Sequence, residues 1–171
     1  MKMKRLLFAT AALLMMAHVF AQNAETVTNK NSWFKAGLTA SVPVGNTANA
    51  SSFAAGLELS GQWMATPNLG LGLASGYTHY FAKNNGSDFG VIPLGLLLHY
   101  YPQSSGFFAG TDLGYSFLTN ASSASGGFYV KPKIGYHNYD WNFFGFYNQV
   151  FANTSDVQNL GVGVVYNLRF K

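Results

Sequence analysis

Leu160-Gly161-Val162-Gly163-Val164-Val165-Tyr166-Asn167-Leu168-Arg169-Phe170-Lys171 alternates residue by residue. Leu160, Val162, Val164, Tyr166, Leu168 and Phe170 fall on one face, and Gly161, Gly163, Val165, Asn167, Arg169 and Lys171 on the other. Successive side chains point to opposite faces of a strand, so this segment reads as a ribbon with one apolar and one small or polar face.

The same pattern recurs towards the start of the chain. Phe34, Ala36, Leu38, Ala40 and Val42 oppose Lys35, Gly37, Thr39, Ser41 and Pro43. Phe53, Ala55, Leu57, Leu59 and Trp63 oppose Gly56, Glu58, Ser60 and Gln62. With Gly, Pro, Asn, Asp and Ser as punctuation, strands are predicted at 33–44, 52–65, 69–82, 89–101, 107–118, 127–138, 141–151 and 157–170. Each is about twice the ~5–6 residues usual in globular proteins and long enough for a tilted membrane crossing of ~9–11. Pro43, Pro93 and Pro132 lie inside these strands and predict a bulge or bend beside each. In the fourth strand Leu97 goes inward with Pro93, Gly95, His99 and Tyr101. In the seventh, Asn142 and Asn148 are placed inward because an amide in lipid is costly.

The distribution of charge decides what the apolar face meets. Charged residues are 9% of the 171, aromatics 16%, and cysteine is absent. A soluble domain carries ~25% charge, and a secreted sandwich or lipocalin-like barrel would display it on the solvent face. Here the outward positions of all the strands hold no Lys, Arg, Asp or Glu. The reading is an all-β, eight-stranded antiparallel up-and-down transmembrane β-barrel. Without cysteine there is neither a disulfide scaffold nor a Cys-ligated metal site.

Residues 1–21 read as a secretory signal peptide: Lys2, Lys4 and Arg5, a short apolar run Leu6 to Met16, then Val19-Phe20-Ala21 as the cleavage site. Residues 22–32 are expected to form a short periplasmic leader and 33–171 the outer-membrane barrel. The segment takes three of the ten basic residues, leaving seven against six acidic ones. Nucleic-acid binding therefore has no electrostatic footing. Connections 66–68, 102–106 and 139–140 are mostly tight and are assigned to the periplasmic side. Connections 45–51, 83–88, 119–126 and 152–156 are longer, rich in Asn and Ser, and assigned to the outside.

Lys35, Glu58, Asp112, Lys131, Lys133 and Arg169 form the predicted lumen charge network, because an unpaired buried charge is expensive. If Leu118 faces Gly127 across 119–126, Asp112 lies opposite Lys133 and pairs with it. Glu58 then reaches across the lumen towards Lys131, Lys35 or Arg169. Inward glycines leave space for Met64, Tyr80, Leu97, Tyr101 and Phe144, or for water or a small ligand. Trp33, Trp63, Tyr100, Tyr136, Trp141, Tyr166 and Phe170 are predicted to form an aromatic girdle at the periplasmic interface.

Ile92-Pro93-Leu94-Gly95-Leu96-Leu97-Leu98-His99-Tyr100-Tyr101, Phe107-Phe108-Ala109-Gly110-Thr111-Asp112-Leu113-Gly114-Tyr115 and the terminal Val164 to Phe170 resemble segments of the small eight-stranded outer-membrane β-barrel protein family. The last resembles the aromatic signature read by barrel-assembly machinery, although Lys171 follows the aromatic here. The resemblance covers Trp33 to Lys171. It implies insertion in the outer membrane of a Gram-negative-type bacterium among lipid and lipopolysaccharide, with assembly machinery and periplasmic chaperones as partners. The expected state is a monomer.

Some such barrels are lipid A-modifying enzymes, which need a polar catalytic group near the outer leaflet. Only His79 lies near the outer end, with Ser75 four residues away; His99 and His137 fall near the other. The expectation is no catalysis, no cofactor and no metal, with a structural or surface-interaction role and a largely plugged lumen. A narrow pore or carrier for a small hydrophobic solute is the alternative, and a lipid A-modifying enzyme a third reading.

Overall fold

Strict alternation gives every strand one face that cannot tolerate water and one that cannot tolerate lipid, and a sheet of such strands satisfies both only by closing. The computed structural model describes residues 33–84, 86–121 and 125–169, without the side chains of Trp33 and Arg169. The expected signal peptide (1–21), leader (22–32) and Phe170 lie outside the described residues.

Eight strands follow in order: β1 Trp33–Pro43, β2 Ser51–Thr66, β3 Leu69–Ala82, β4 Phe89–Tyr100, β5 Gly106–Thr119, β6 Gly126–His137, β7 Trp141–Ala152 and β8 Val157–Arg169. A four-residue helix, α1 Thr47–Ala50, lies between β1 and β2. Each strand pairs antiparallel with the next, and β8 pairs with β1 from Trp33↔Arg169 to Pro43↔Asn159, so the cylinder is closed. Closure leaves no sheet edge unpaired. The predicted strand boundaries differ from these by at most one residue.

Side-chain oxygens build the short turns at one end. Thr66 Oγ1 accepts from the Leu69 N–H at 3.0 Å, and Asn138 Oδ1 accepts from the Asp140 and Trp141 N–H groups at 2.9 and 2.8 Å. Such local bonds are why Thr and Asn punctuate turns. At the loop end, Thr47 Oγ1 donates to Asp156 O at 3.2 Å and accepts from the Gln158 N–H at 2.8 Å, which seats α1 on the start of β8.

Two local expectations are corrected. The β5–β6 register is Asp112↔Lys131, not Asp112↔Lys133. The Leu118 N–H donates to Ser125 O, and pairing begins at Phe117↔Gly126, where Gly126 has φ +137° and the position of an added Cβ lies 2.0 Å from Ser116 O. Glycine lets β6 start this close to β5, which a side chain forbids. The offset is two residues, so every side chain keeps its predicted face. Nor do the prolines carry bulges. Pairing is interrupted between Ser75↔Leu94 and Thr78↔Val91, beside Pro93, and between Val130↔Gln149 and Lys133↔Phe146, beside Pro132, with no change of register. A missing N–H removes a ladder bond but inserts no residue. The register shifts fall at the two ends of β2 instead.

The outside is apolar. Leu38, Leu57, Leu73, Leu94, Leu96, Ile134 and Val162 are each more than half exposed. Among the described residues no Lys, Arg, Asp or Glu occupies an outward strand position. The inside is packed in two apolar layers. One, near the loop end, contains Ala54, Tyr80, Val91, Tyr129, Val150 and Val157. The other, towards the turn end, contains Met64, Tyr101, Phe108, Phe144, Phe146 and Val165. Inward glycines serve as beds for rings: a Cβ on Gly163 falls 2.4 Å from Phe144 and one on Gly110 falls 2.1 Å from His99. Rings fill the space these two residues leave.

Candidate functional site

Between the two apolar layers lies a layer of charge. Lys131 and Lys133 flank Pro132 on β6, so both point inward. Asp112 on β5 faces Lys131 in register and reaches Lys133 diagonally, with Lys133 Nζ 2.5 Å from Asp112 Oδ2. Glu58 comes from β2, four strands away and therefore on the far wall. Its carboxylate meets Lys131 at 2.5 Å through Oε2 and Lys133 at 2.5 Å through Oε1. An eight-stranded barrel is just wide enough for side chains to fill it, and one such pair spans the lumen. Lys131 also lies 4.3 Å from the Phe146 ring centroid and Lys133 lies 5.0 Å from that of Phe144, so the neighbouring aromatic layer adds cation–π contacts.

Lys35 lies on the turn side of this layer. Its Nζ donates to Gln62 Oε1 at 3.0 Å and to Tyr101 OH at 2.7 Å, and the Tyr101 hydroxyl donates to Gln62 Oε1 at 2.8 Å. Tyr101 OH also shares a hydrogen bond of 3.1 Å with His99 Nδ1. The other ring nitrogen of His99 stands 3.5 Å from Asp112 Oδ1, which links the polar group around Lys35 to the ion-pair layer. On the loop side Tyr80 OH donates to Asn159 Oδ1 at 2.7 Å, and Asn159 Nδ2 donates to Ser41 Oγ at 2.8 Å.

The sequence-predicted residues thus separate. Glu58, Asp112, Lys131 and Lys133 come together, Lys35 sits one level below, and the Arg169 side chain lies outside the described residues. Gln62, His99, Tyr101 and the Asn159 cluster had no part in the predicted network. Alternation places each of them inward; His99 and Tyr101 are two residues apart and Gln62 lies diagonal to Lys35 on the adjoining strand, but the meeting of Tyr101 with Lys35 and Gln62 joins elements that no local spacing links. Of the predicted girdle, Trp63, Tyr136, Trp141 and Tyr166 are exposed near the turn end and Tyr100 is half-buried there. Trp141 packs on Tyr166 with ring centroids 4.9 Å apart. The Trp33 side chain and Phe170 lie outside the described residues.

His79 faces outward near the loop end. It shares a hydrogen bond of 3.2 Å with Tyr77 OH through Nδ1 and one of 3.0 Å with Asp88 Oδ2 through Nε2. Ser75 Oγ donates instead to Pro93 O at 2.9 Å. Asp88 Oδ1 accepts from the Ala82 N–H at 2.8 Å. That N–H first, and His79 second, hold the Asp88 carboxyl below the usual carboxylate range. A lowered folded-state value means that the attachment is complete above the ordinary carboxylate range and is lost as pH falls through Asp88's own value. Titration followed by the Ala82 amide resonance should show the 83–88 loop releasing below the ordinary carboxylate range. The Asp88→Asn variant should flatten that titration. Among the described residues no group of three or more His, Asp or Glu side chains is placed to hold a metal ion.

Solved structures match this geometry. OprG from Pseudomonas aeruginosa, an outer membrane protein, superposes with a TM-score of 0.58 at 12% identity over 87% of this chain and 100% of its own. The N-terminal β-barrel domain of Pseudomonas aeruginosa OprF gives 0.53 at 15% identity, over 81% of this chain and 98% of its own. Neisserial surface protein A gives 0.53 at 15%, over 84% and 100%. The fold is that of the small outer-membrane β-barrels. At these identities the likeness concerns the fold alone. No protein-family model and no curated protein sequence matches the chain.

Proposed function

We propose that this chain is an integral outer-membrane barrel with a closed lumen and a structural or surface-interaction role. Its short turns face the periplasm and its longer loops the cell exterior. The observation that carries the reading is the layering of the interior, in which a cross-lumen ion-pair cluster lies between two packed apolar layers. On the loop side of the charges lies a cavity of about 20 Å³, faced by Glu58, Asp112, Ser116, Tyr129 and Lys131. That is room for a single water and not for a permeating solute. The apolar exterior supports the membrane assignment, since hydrocarbon is the solvent in which exposed leucines and valines are stable.

The loop end supports a surface role. Phe89, Leu118 and Val157 line a cup of about 340 Å³ together with Asn46, Asn120 and Asp156. Gln149 Nε2 donates to Asp156 Oδ2 at 3.0 Å and Gln158 Nε2 donates to Gln149 Oε1 at 2.6 Å, so polar bonds tie the β7–β8 connection together. Lipid and lipopolysaccharide surround the barrel, periplasmic chaperones and barrel-assembly machinery deliver it, and it acts as a monomer. Reconstitution in a planar bilayer tests the closed lumen. The expected trace is a flat baseline with no stable open level. A reproducible open level at neutral pH favours the narrow-pore reading instead.

A further inference from the structure

All four long connections contribute to the cup of about 340 Å³ at the loop end: Asn46 from the first, Ser87 from the second, Asn120 from the third and Asp156 from the fourth. Its floor is apolar and fixed. Phe89 and Leu118 line the cup and pack on the apolar layer near the loop end, to which Val157 itself belongs. The Phe89 ring stacks on Tyr80 with centroids 4.6 Å apart and planes 8° from parallel, and the Tyr80 hydroxyl is held by Asn159.

The walls are tied to one another as well. The Lys83 N–H donates to Ala50 O at 2.9 Å and Lys83 Nζ donates to Ala48 O at 2.7 Å, which fastens the second connection to α1. The two bonds of Thr47 fasten α1 in turn to the fourth connection, where Gln149 holds the Asp156 carboxylate by Oδ2. A site ordered before its guest arrives loses less affinity to ordering.

The lining selects the guest. Among the described residues, no Lys, Arg or His lines the cup, and Lys83 turns its ammonium to Ala48 O instead. A phosphate, sulfate or carboxylate therefore finds no cation to pair with there. The polar groups of the lining are amides and hydroxyls, which both donate and accept, and one carboxylate, which only accepts. The Asn46 side chain makes no capping bond to α1. The matching guest has a face of carbon-bound hydrogens for the floor and hydroxyls around its edge, each of them donor and acceptor, for the rim. A pyranose ring has that form. At about 30 Å³ per water-sized group the cup takes roughly eleven such groups, the non-hydrogen count of one hexose residue.

We infer that the cup is a binding site for one neutral hexose residue, its C–H face on Phe89, Leu118 and Val157 and its hydroxyls on Asn46, Asn120 and Asp156. The inference deepens the surface-interaction reading above and rests on it, since the loops must face outward. Lipopolysaccharide of the same leaflet and a glycan outside the cell offer the same chemistry.

The test is saturation-transfer NMR on the wild-type protein in phosphatidylcholine nanodiscs, with methyl glucoside, methyl galactoside and methyl mannoside as probes. At least one should receive transfer on its ring C–H protons at millimolar concentration. Cyclohexylmethanol, similar in size with a single hydroxyl, and glucuronate, which adds a negative charge, should receive far less. Asp156→Asn should weaken the hexoside about ten-fold, as for losing a hydrogen bond to a charged group, and Asn120→Gly, which accepts the φ of +58° at that position, about five-fold. Equal transfer to cyclohexylmethanol, or none to any hexoside, overturns the sugar site; if a variant does not fold, that wild-type comparison decides. Purified lipopolysaccharide added to the nanodiscs separates the sources: it displaces the hexoside if the leaflet supplies the sugar and leaves it bound if an external glycan does. The chain has no cysteine, so Ser155→Cys reports independently where the loops lie. Labelling by an impermeant maleimide on intact cells upholds the outward reading even where hexosides fail to bind. Labelling only after lysis overturns that reading and the sugar site with it.

Discussion

Replacing Glu58 by leucine is expected to destabilise the barrel by about 3–5 kcal/mol, the loss typical when one partner of a buried ion pair is removed. The reason lies in what remains. Lys131 and Lys133 both contact this carboxylate at 2.5 Å, and of the two lysines Asp112 ion-pairs with Lys133. Without Glu58 the Lys131 ammonium keeps the Phe146 ring face but loses its ion-pair partner. Urea unfolding in lipid vesicles, followed by tryptophan fluorescence, gives the difference. Glu58→Leu together with Lys131→Met should recover much of it, because an ion pair replaced by apolar groups of similar volume is often neutral. A double variant no more stable than the single one would show that Glu58 acts by packing rather than by charge.

Val162→Arg is expected to cost about 2–4 kcal/mol in the same vesicles, the penalty for a cation near the bilayer midplane on a lipid-facing wall. Val162 is 65% exposed and sits between Gly145 and Ala40 in the pairing. On a water-facing surface the same change falls within about 0.5 kcal/mol. The two environments therefore give answers several-fold apart. Phe107→Arg, at the turn end and 75% exposed, should cost far less, about 0–1 kcal/mol, because the penalty fades towards the interface.

Most of the architecture was legible because alternation is a strong signal when one face must be apolar along a dozen residues. It placed Leu97 inward in β4 and Asn142, Phe144 and Phe146 inward in β7, and all four are buried. It gave the inward side of Lys35, Glu58, Asp112, Lys131 and Lys133 for the same reason. Register was harder to read. The stretch between Leu118 and Gly127 contains several plausible closing points, and the one adopted depends on the close approach of Gly126 to the Ser116 carbonyl. A proline inside a strand signals disturbance but not its kind, and Pro93 and Pro132 interrupt pairing where a bulge was expected. Contacts across the lumen were least legible. Which of the inward groups meet depends on shear, and shear is the accumulated sum of every register around the cylinder. The meeting of Glu58 on β2 with Lys131 and Lys133 on β6 is an example.

The placement of Glu58 on β2 and its two lysines on β6 bears on how the chain enters a bilayer. A lone β5–β6 hairpin has one acid for two ammonium groups, and in the β1–β2 hairpin the lysine diagonal to Glu58, Lys35, turns to Gln62 and Tyr101 instead. Piecemeal insertion would drag bare charge through oil. Neutralisation waits until opposite walls face each other, so threading, curling and sealing are bound into one concerted event.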